Sequence, residues 1–351
     1  MSDTTITAVE FERLPLPAQP AYNWRDGLPA TEPERIGGVL TISTANGSGR
    51  AFTARGVITE DLVERRLAPE LLGQDCLARE WLWHRVWELD RIEEFPIYVL
   101  GLVDTALWDL AGRLAGLPVH RLLGYFRESI PAYASTVTYD SVAEYLDVAD
   151  QCLERGFTAI KLHAWGDPRR DAALVAALRE HVGDGIDLMY DGSAAFDLPD
   201  AVHVGRALGD NGYRWYEEPM REFNVGAHAH LAQRVHVPLL VGETTDGAHM
   251  NIADFIAADT AAYVRTSAAY KGGITGALRI AHLADAHRIR AEVHGMGAVN
   301  RALCMAIPNT TYYEALVWGN PVVTDPCVDA RGLVAASQAP GIDWDGPALP
   351  W

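Results

Sequence analysis

Three short segments of the same design decide the fold: LMYDG at 188–192, WYEEP at 215–219 and LVGET at 240–244. Each carries an acidic residue where an apolar run ends, and these acids, Asp191, Glu217 and Glu243, follow one another at equal intervals of 26 residues. One β-strand with its return helix has about this length, so the acids are predicted at the carboxyl ends of successive parallel strands. A single acid in this position would more often cap a helix or meet an arginine, but three in register favour a shared site.

Short apolar strands and amphipathic helices continue to alternate on both sides of these segments. Right-handed crossovers between such strands imply a parallel sheet. Eight repeats favour a closed (β/α)8 barrel of the TIM type, although a doubly wound open sheet would show the same alternation. The predicted strands are 130–135, 159–163, 187–191, 214–217, 238–243, 262–265, 290–294 and 312–314.

A different pattern precedes the predicted barrel. Alternating stretches such as GVLTIST at 38–44 predict short antiparallel strands, and apolar residues recur at helical spacing in YVLGLVDTALWDLA at 98–111. Residues 1–125 are therefore predicted to form an α+β capping domain and residues 126–320 the barrel. The proline-rich tail, 321–351, is predicted to fold back and join the capping domain.

Composition narrows the classes of function. The 351 residues carry a formal net charge of −18, which repels nucleic acid and anionic membrane surfaces. No apolar run approaches the roughly 18 residues of a membrane span, and the first residues resemble no signal peptide. The four cysteines are widely scattered, which favours reduced thiols. We therefore expect a cytoplasmic protein that binds neither nucleic acid nor membrane.

The predicted rim has the chemistry of a metal site. Asp191, Glu217 and Glu243 could not all ionise at one point without a cation between them. A set of oxygen ligands suits Mg²⁺, with Mn²⁺ as a substitute. Lys161 and His163 are two residues apart on the second strand, so both side chains are predicted on one face, within reach of this site.

Further motifs show a family resemblance: ALWDLAG at 106–112, GLP at 116–118, LLG at 122–124, EEP at 217–219 and GGIT at 272–275. Together they make the chain, over nearly its whole length, similar to the enolase superfamily in its mandelate racemase and muconate lactonising branch. The resemblance implies a capping domain over the barrel mouth and Mg²⁺ held by the three rim acids. It also implies that a base removes the proton α to a substrate carboxylate, while the metal stabilises the enediolate.

The resemblance also suggests catalytic roles. It puts His163 at the position of the base with Lys161 as its electrostatic support, and leaves open which of the two acts. His294, at the end of the seventh strand, is predicted to face them across the mouth as a second base or an acid. Related enzymes pair this histidine with an aspartate where this chain has Ser267. His294 is therefore expected to be a weaker base, better suited to give a proton to a departing hydroxyl.

Other residues are predicted to contact the substrate. Glu314 matches an acid that bonds the substrate carboxylate; it would act as an electrophile if protonated, or else it caps a helix. Tyr22, Trp24 and Arg25 fall in the loop that corresponds to the substrate-selecting part of the cap, where Arg25 would suit a second anionic or polyhydroxy end. Arg265 is a further candidate for a substrate contact.

These features predict proton abstraction α to the carboxylate of a small molecule, followed by loss of water from an acid sugar or hydroxy acid. Racemisation or epimerisation and cycloisomerisation are the alternatives within the family. Two alternative functions lie outside the family: a Schiff-base aldolase that uses Lys161, and a catalytically silent metal-binding protein. A homo-oligomer is expected by resemblance alone.

Overall fold

The computed structural model describes residues 3–18, 20–31 and 35–346. Its first part is a three-stranded antiparallel sheet covered by helices. The strands pair in the order β1–β2–β3, and Leu40 and Ile42 of the middle strand point into the core beneath the helices. The bounds are β1 Ala8–Pro15, β2 Ile36–Thr44, β3 Gly47–Thr53, α1 Gly56–Leu62, a π-helical turn Val63–Leu67, α2 Ala68–Leu71, α3 Arg79–Glu93, α4 Tyr98–Ala115 and α5 Val119–Leu122.

Eight parallel strands and the helices between them follow. Their bounds are β4 Ser129–Thr136, α6 Val142–Glu154, β5 Ala159–His163, α7 Pro168–Val182, β6 Asp187–Asp191, α8 Leu198–Asp210, β7 Tyr216–Glu217, α9 Val225–Ala232, β8 Leu239–Val241, α10 His249–Ala257, β9 Tyr263–Thr266, α11 Gly273–Ala286, β10 Arg290–Val293, α12 Ala298–Ala306 and β11 Tyr313–Trp318. β11 pairs with β4 in parallel, so the sheet returns to its first strand, and the predicted barrel fold is confirmed.

The seam of the barrel lies between β10 and β11. There the Ala291 N–H donates to the carbonyl of Asn309 at 3.1 Å. The buried carboxylate of Glu292 accepts from the Thr311 N–H at 3.0 Å and from the Thr311 hydroxyl at 2.7 Å. Side-chain hydrogen bonds therefore supplement the backbone where the barrel closes.

Local sequence signals explain where several helices begin. The side chains of Ser141, Asp167, Asp197 and Asn224 each accept a hydrogen bond from a backbone N–H in the first turn of the helix that follows. These residue types satisfy the free N–H groups of a helix N-terminus. They fix the starts of α6, α7, α8 and α9 after the preceding barrel strands.

Two predicted strands prove shorter than expected. The fourth barrel strand covers Tyr216–Glu217, and the fifth ends at Val241 because Gly242 has φ +93°, outside the β region. Glu243 consequently lies two residues beyond its strand. The eighth strand extends further than predicted, to Trp318.

The barrel interior is filled directly below the predicted site. A separate apolar cluster forms a buried layer; it consists of Tyr133, Ala159, Met189 and Leu240, from β4, β5, β6 and β8, and of Trp215, which immediately precedes β7. Because side chains two apart in a strand share a face, the residues two positions after Ala159, Met189 and Trp215 stand on top of this layer. Those residues are Lys161, Asp191 and Glu217.

The capping domain meets the barrel where α4 touches the start of α11. The Asp104 carboxylate accepts from the Thr275 N–H at 2.9 Å and from its hydroxyl at 2.6 Å, and the Trp108 indole donates to the same hydroxyl at 3.0 Å. Asp104 is buried in this junction. The contact joins the helix motif 106–112 to the GGIT motif.

The C-terminal segment has two partners. β13 Leu333–Ala335 pairs antiparallel with the start of β4, and the short strand β12 Val323–Thr324 pairs with β11. Residue Gly341 then exchanges backbone hydrogen bonds with Val119 and Leu117, next to α4. The tail thus joins both the barrel and the capping domain, rather than the capping domain alone. No helix in the described ranges has the length and apolarity that crossing a membrane requires.

Candidate active site

The three acids at the strand ends meet at one point. Asp191 ends β6, Glu217 ends β7, and Glu243 follows β8, and one carboxylate oxygen of each lies within 4.8 Å of the others. The Glu243 Oε2 atom is buried, yet it has no hydrogen-bond partner. A buried oxygen of this kind needs a partner, and a hard divalent cation suits oxygen ligands, so these residues fit a metal ion.

Two permanent cations lie beside the acids. The Lys161 Nζ atom is 3.1 Å from Asp191, 2.9 Å from Glu217 and 2.9 Å from Glu314. Burial alone would lower the pKa of the Lys161 ammonium, but the carboxylates of Glu217 and Glu314 raise it well above its usual value. Lys161 is therefore held as a cation in this arrangement.

Arg265 is the second cation. Its side chain is 0% exposed, and its guanidinium forms a bidentate pair with Glu217 and donates to the Tyr133 hydroxyl at 3.0 Å. These contacts use Arg265 for charge balance in the floor of the site, which favours that role over the predicted substrate contact.

The charges of this cluster do not cancel. Its four carboxylates belong to Asp191, Glu217, Glu243 and Glu314, and they face the two cations Lys161 and Arg265. Two negative charges therefore remain, and His163 and His294, which contact Asp191 and Glu243, can offset them only when both are protonated. A divalent cation among the rim acids would remove that excess.

His163 stands on the β5 side of the mouth. Its Nδ1 lies 2.6 Å from the carbonyl oxygen of Thr136, and its Nε2 lies 3.0 Å from Asp191. The Thr136 carbonyl and the Asp191 carboxylate both accept, so Nδ1 carries a hydrogen, and Nε2 carries one as long as it contacts Asp191; Nε2 is the ring atom that can exchange its proton. The ring packs against Trp24 with the centroids 4.5 Å apart.

His294 lies across the mouth from His163. Its Nε2 is 3.2 Å from Glu243 and 4.0 Å from Glu314, and its ring stacks on Tyr270 at 5.1 Å. Burial would lower the pKa of His294, but the two carboxylates raise it overall. The environment therefore favours the protonated imidazolium.

Ser267 does not replace the aspartate that related enzymes place beside this histidine. Its hydroxyl oxygen accepts from the backbone N–H groups of Ala269 and Tyr270, at 3.2 and 3.4 Å. The carboxylates nearest to His294 instead come from β11 and from the segment after β8.

Glu314 is ionised in this setting. Burial would raise its pKa, but Lys161 and Arg265 hold it well below the usual range, and the Gly295 N–H donates to it at 2.7 Å. The geometry therefore supports neither a protonated electrophile nor a helix cap. It makes Glu314 the counterion of Lys161.

The predicted substrate loop lies over the ends of β4, β5 and β6. Tyr22 packs edge-on against Trp24, with the centroids 5.2 Å apart. The Arg25 Nε donates to the carbonyl oxygen of Ser193 at 3.0 Å, just beyond Asp191. The structure brings Tyr22, Trp24 and Arg25 to the mouth of the barrel, and their contacts with a substrate stay a prediction.

Sequence reasoning missed several members of this cluster. Tyr133, whose hydroxyl meets Arg265, could have been found from its inward position in β4. Glu222 and Lys271, which bind the segment around Glu243, lie in loops where no periodicity marks them. The only sequence feature that marks Tyr270 is its position two residues before the Gly-Gly pair that begins at Gly272.

Comparison with known proteins gives relatives of several activities. The chain is 28% identical over 305 residues to 3,6-anhydro-alpha-L-galactonate cycloisomerase of Streptomyces coelicolor, covering 85% of this chain and 84% of the relative. It is 29% identical over 290 residues to L-talarate/galactarate dehydratase of Salmonella typhimurium, covering 79% and 71%.

Solved structures agree with the fold. D-glucarate dehydratase from Agrobacterium tumefaciens, complexed with magnesium, superposes with a TM-score of 0.88 at 31% identity over 98% of each chain. A racemase from Streptomyces coelicolor with bound magnesium gives a TM-score of 0.83 at 25% identity over 96% of each chain.

Two family models cover most of the sequence. The enolase C-terminal domain-like model matches residues 144–345, which is more than half of the chain. The mandelate racemase / muconate lactonizing enzyme N-terminal domain model matches residues 36–124. The protein therefore belongs to the enolase superfamily, in its mandelate racemase and muconate lactonising branch, as its sequence motifs predicted.

Proposed function

We propose that this protein is a Mg²⁺-dependent enzyme that removes the proton α to the carboxylate of an acid sugar and releases the β-hydroxyl as water. The observation that carries the proposal is a single rim where three ligand-type carboxylates lie between a basic pair, Lys161 and His163, and His294 opposite. Relatives named as acid-sugar dehydratases support the choice of substrate class.

The metal site is proposed at Asp191, Glu217 and Glu243. A divalent cation held there would supply concentrated positive charge to a substrate carboxylate and so make its weakly acidic α-proton removable. Mg²⁺ is the proposed ion because two related structures contain it, and Mn²⁺ is proposed as a substitute on the grounds of its similar ligand preference.

His163 is proposed as the base. Its Nδ1 hydrogen is fixed on the Thr136 carbonyl, so a proton taken from the substrate would go to Nε2, which a metal ion on Asp191 would free from its present contact with that carboxylate. Lys161, held as a cation, would lie beside the developing negative charge. Its role is then electrostatic support rather than proton transfer.

His294 is proposed as the acid on the opposite side. Its Nε2 meets Glu243 on the side of the mouth opposite His163, where an imidazolium can give a proton to the β-hydroxyl as the C–O bond breaks. One proton leaves the α-carbon and one joins the leaving hydroxyl, so the products are water and an enol that becomes a 2-keto acid. Because Ser267 supplies no carboxylate to raise its basicity, His294 suits this step better than abstraction from the second face.

Cycloisomerisation is the second candidate, because two relatives are named as cycloisomerases. It would begin with the same abstraction, after which the bond from the β-carbon to an oxygen of the substrate's own ring would break; this oxygen would take the proton and stay in the product, so that no water is released. Arg25, at the mouth, is proposed to bind the far end of a substrate that carries a second anionic or polyhydroxy group. The homo-oligomer and the cytoplasmic location stay predictions.

The test is incubation of the protein with a library of acid sugars in D₂O with Mg²⁺. Proton NMR would report exchange of the α-hydrogen, and semicarbazide would report 2-keto products. Exchange with a keto product that has lost water supports the dehydratase, and exchange with a keto product isomeric with a cyclic substrate supports the cycloisomerase. A new diastereomer without keto product would contradict both and indicate an epimerase. The His163→Asn variant should lose exchange of the α-hydrogen that faces His163, whereas Lys161→Gln should retain this exchange at a slow residual rate.

A further inference from the structure

Glu243 is held differently from the other two rim acids. Asp191 and Glu217 lie inside strands and pair with each other across β6 and β7. Asp191 also pairs with His163 of β5, and Glu217 with Leu240 of β8. Glu243 lies beyond the last residue of β8. Hydrogen bonds of the sheet therefore position two of the ligands, and the third depends on its loop.

The alternation of the strand would also send Glu243 the wrong way. Leu240 faces the barrel interior, so a two-residue period would turn residue 242 inward and Glu243 outward. Gly242, at φ +93°, breaks this alternation, so that residue 243 takes the inward direction that residue 242 would otherwise have. This positive φ favours glycine, and a Cβ atom at position 242 would also come within 2.1 Å of Cδ1 of Ile252, so that the tip of this side chain would have to move.

A buried carboxylate fixes the backbone on both sides of Glu243. Glu222, 4% exposed, accepts from the Gly242 N–H at 2.5 Å and from the Thr244 N–H at 3.1 Å. The two bonds use both oxygens of one carboxylate. They therefore set the orientation of the backbone that carries the Glu243 side chain.

A buried ammonium holds the next residue. The Lys271 Nζ atom donates to the Thr245 carbonyl oxygen at 2.7 Å and to its hydroxyl oxygen at 3.2 Å, and Lys271 is 0% exposed. Further along, Ala248 adopts φ 49° and ψ −123°, a strained conformation for a residue with a side chain. The segment 242–248, here the Glu243 loop, thus keeps an unfavourable shape that its buried partners maintain.

We propose that Glu222 and Lys271 are positioning residues for metal binding, which hold the Glu243 loop so that its carboxylate meets those of Asp191 and Glu217. The inference rests on the proposed metal site and assigns neither residue a contact with the ion or the substrate. Groups that orient metal ligands typically contribute about 10–100-fold to metal affinity.

The test is direct titration of the purified protein with Mn²⁺, followed by electron paramagnetic resonance and calorimetry without substrate. In Glu222→Gln the single amide oxygen can accept one of the two N–H groups, while the NH₂ group opposes the other. Its dissociation constant for Mn²⁺ is expected to rise about 10–100-fold. Lys271→Met is expected to weaken binding in the same direction.

Glu292→Gln is the matched control. Glu292 is equally buried and also accepts from a backbone N–H, but it serves the seam around Thr311, which holds no rim acid. The Glu292→Gln substitution should lower the midpoint of thermal unfolding and leave the Mn²⁺ dissociation constant within twofold of the native value. This control separates loss of stability from loss of the metal ligand's position.

The outcomes are distinct. If the native protein does not bind Mn²⁺, the proposed metal site and this inference both fail. If the native protein binds Mn²⁺ and folded Glu222→Gln binds it equally well, the metal site stands and the positioning role is overturned. The same conclusion follows if Glu292→Gln weakens Mn²⁺ binding as much as Glu222→Gln does. Should circular dichroism show Glu222→Gln unfolded, Lys271→Met decides by the same criterion.

Discussion

Replacing Asp104 with asparagine is expected to raise the stability of the protein relative to the native form progressively as the pH rises from 5 to 8. Burial raises the pKa of Asp104 from 3.8 to about 7, against the hydrogen bonds from Thr275. A carboxyl group with a raised pKa stabilises the fold fully below its unfolded pKa, and this contribution disappears as the pH rises through the folded value. The native protein therefore loses stability on the way to pH 7.

The magnitude follows from the shift. About three pKa units correspond to about 4 kcal/mol, at 1.36 kcal/mol for each unit. Between pH 5 and pH 8 the variant should gain roughly 2–3 kcal/mol relative to the native protein. This free-energy difference is an upper figure, because the N-terminus of α11 favours the ionised carboxylate of Asp104 and so opposes the rise of its pKa.

Asparagine suits this position. Its oxygen can accept from the Thr275 N–H, and its NH₂ group can donate to the Thr275 hydroxyl oxygen, as a protonated carboxyl would. Urea unfolding of both proteins, followed by circular dichroism at pH 5, 6, 7 and 8, measures the difference. A difference in unfolding free energy that stays constant across this range would refute the reasoning, since Asp104 would then titrate alike in the folded and unfolded chain.

Four further outcomes are expected. Asp191→Asn should weaken Mn²⁺ binding by at least about 100-fold in calorimetry, and unchanged binding would place the ion elsewhere. His294→Asn should keep α-hydrogen exchange in D₂O but lose keto product; if exchange also disappears, His294 acts on the abstracting side. Arg265→Met should destabilise the fold by about 3–5 kcal/mol in denaturant unfolding, because Glu217 keeps a buried, less compensated charge, and a negligible change would contradict its role in charge balance. Trp24→Ala should raise KM roughly tenfold with the Mn²⁺ dissociation constant unchanged, since about 1.4 kcal/mol of packing is at stake; equal effects on both would tie the loop to the metal.

Much of the barrel could be predicted from the sequence because its strands alternate strictly with helices. The equal spacing of Asp191, Glu217 and Glu243 correctly indicated that the three acids converge, since strand ends of a parallel barrel share one rim. The face shared by Lys161 and His163 followed from strand geometry in the same way. These features depend on local periodicity, which a single sequence shows directly.

Features that depend on three-dimensional contacts were not predictable. The burial of Arg265 against Glu217 joins residues 48 positions apart, and no local pattern distinguishes it from an arginine facing a substrate. The ionised state of Glu314 depends on Lys161, which lies on a strand far away in the chain. The end of β8 at Val241 depends on a positive φ at Gly242, and a glycine alone does not specify it.

The two partners of the C-terminal tail have a consequence for how the protein is made. Residues 333–342 leave the ribosome only after all eight barrel strands, yet they pair with the start of β4 and bond to Asp109 in α4 and to Leu117 and Val119 just after it. Until then the first residues of β4 lack a neighbour that their N–H and C=O groups later use. The nascent chain therefore carries an open strand edge during most of its synthesis, a point at which other chains can pair. The contact of Asp104 with Thr275 can join the cap to the barrel earlier, and the contacts of the tail with both parts form last.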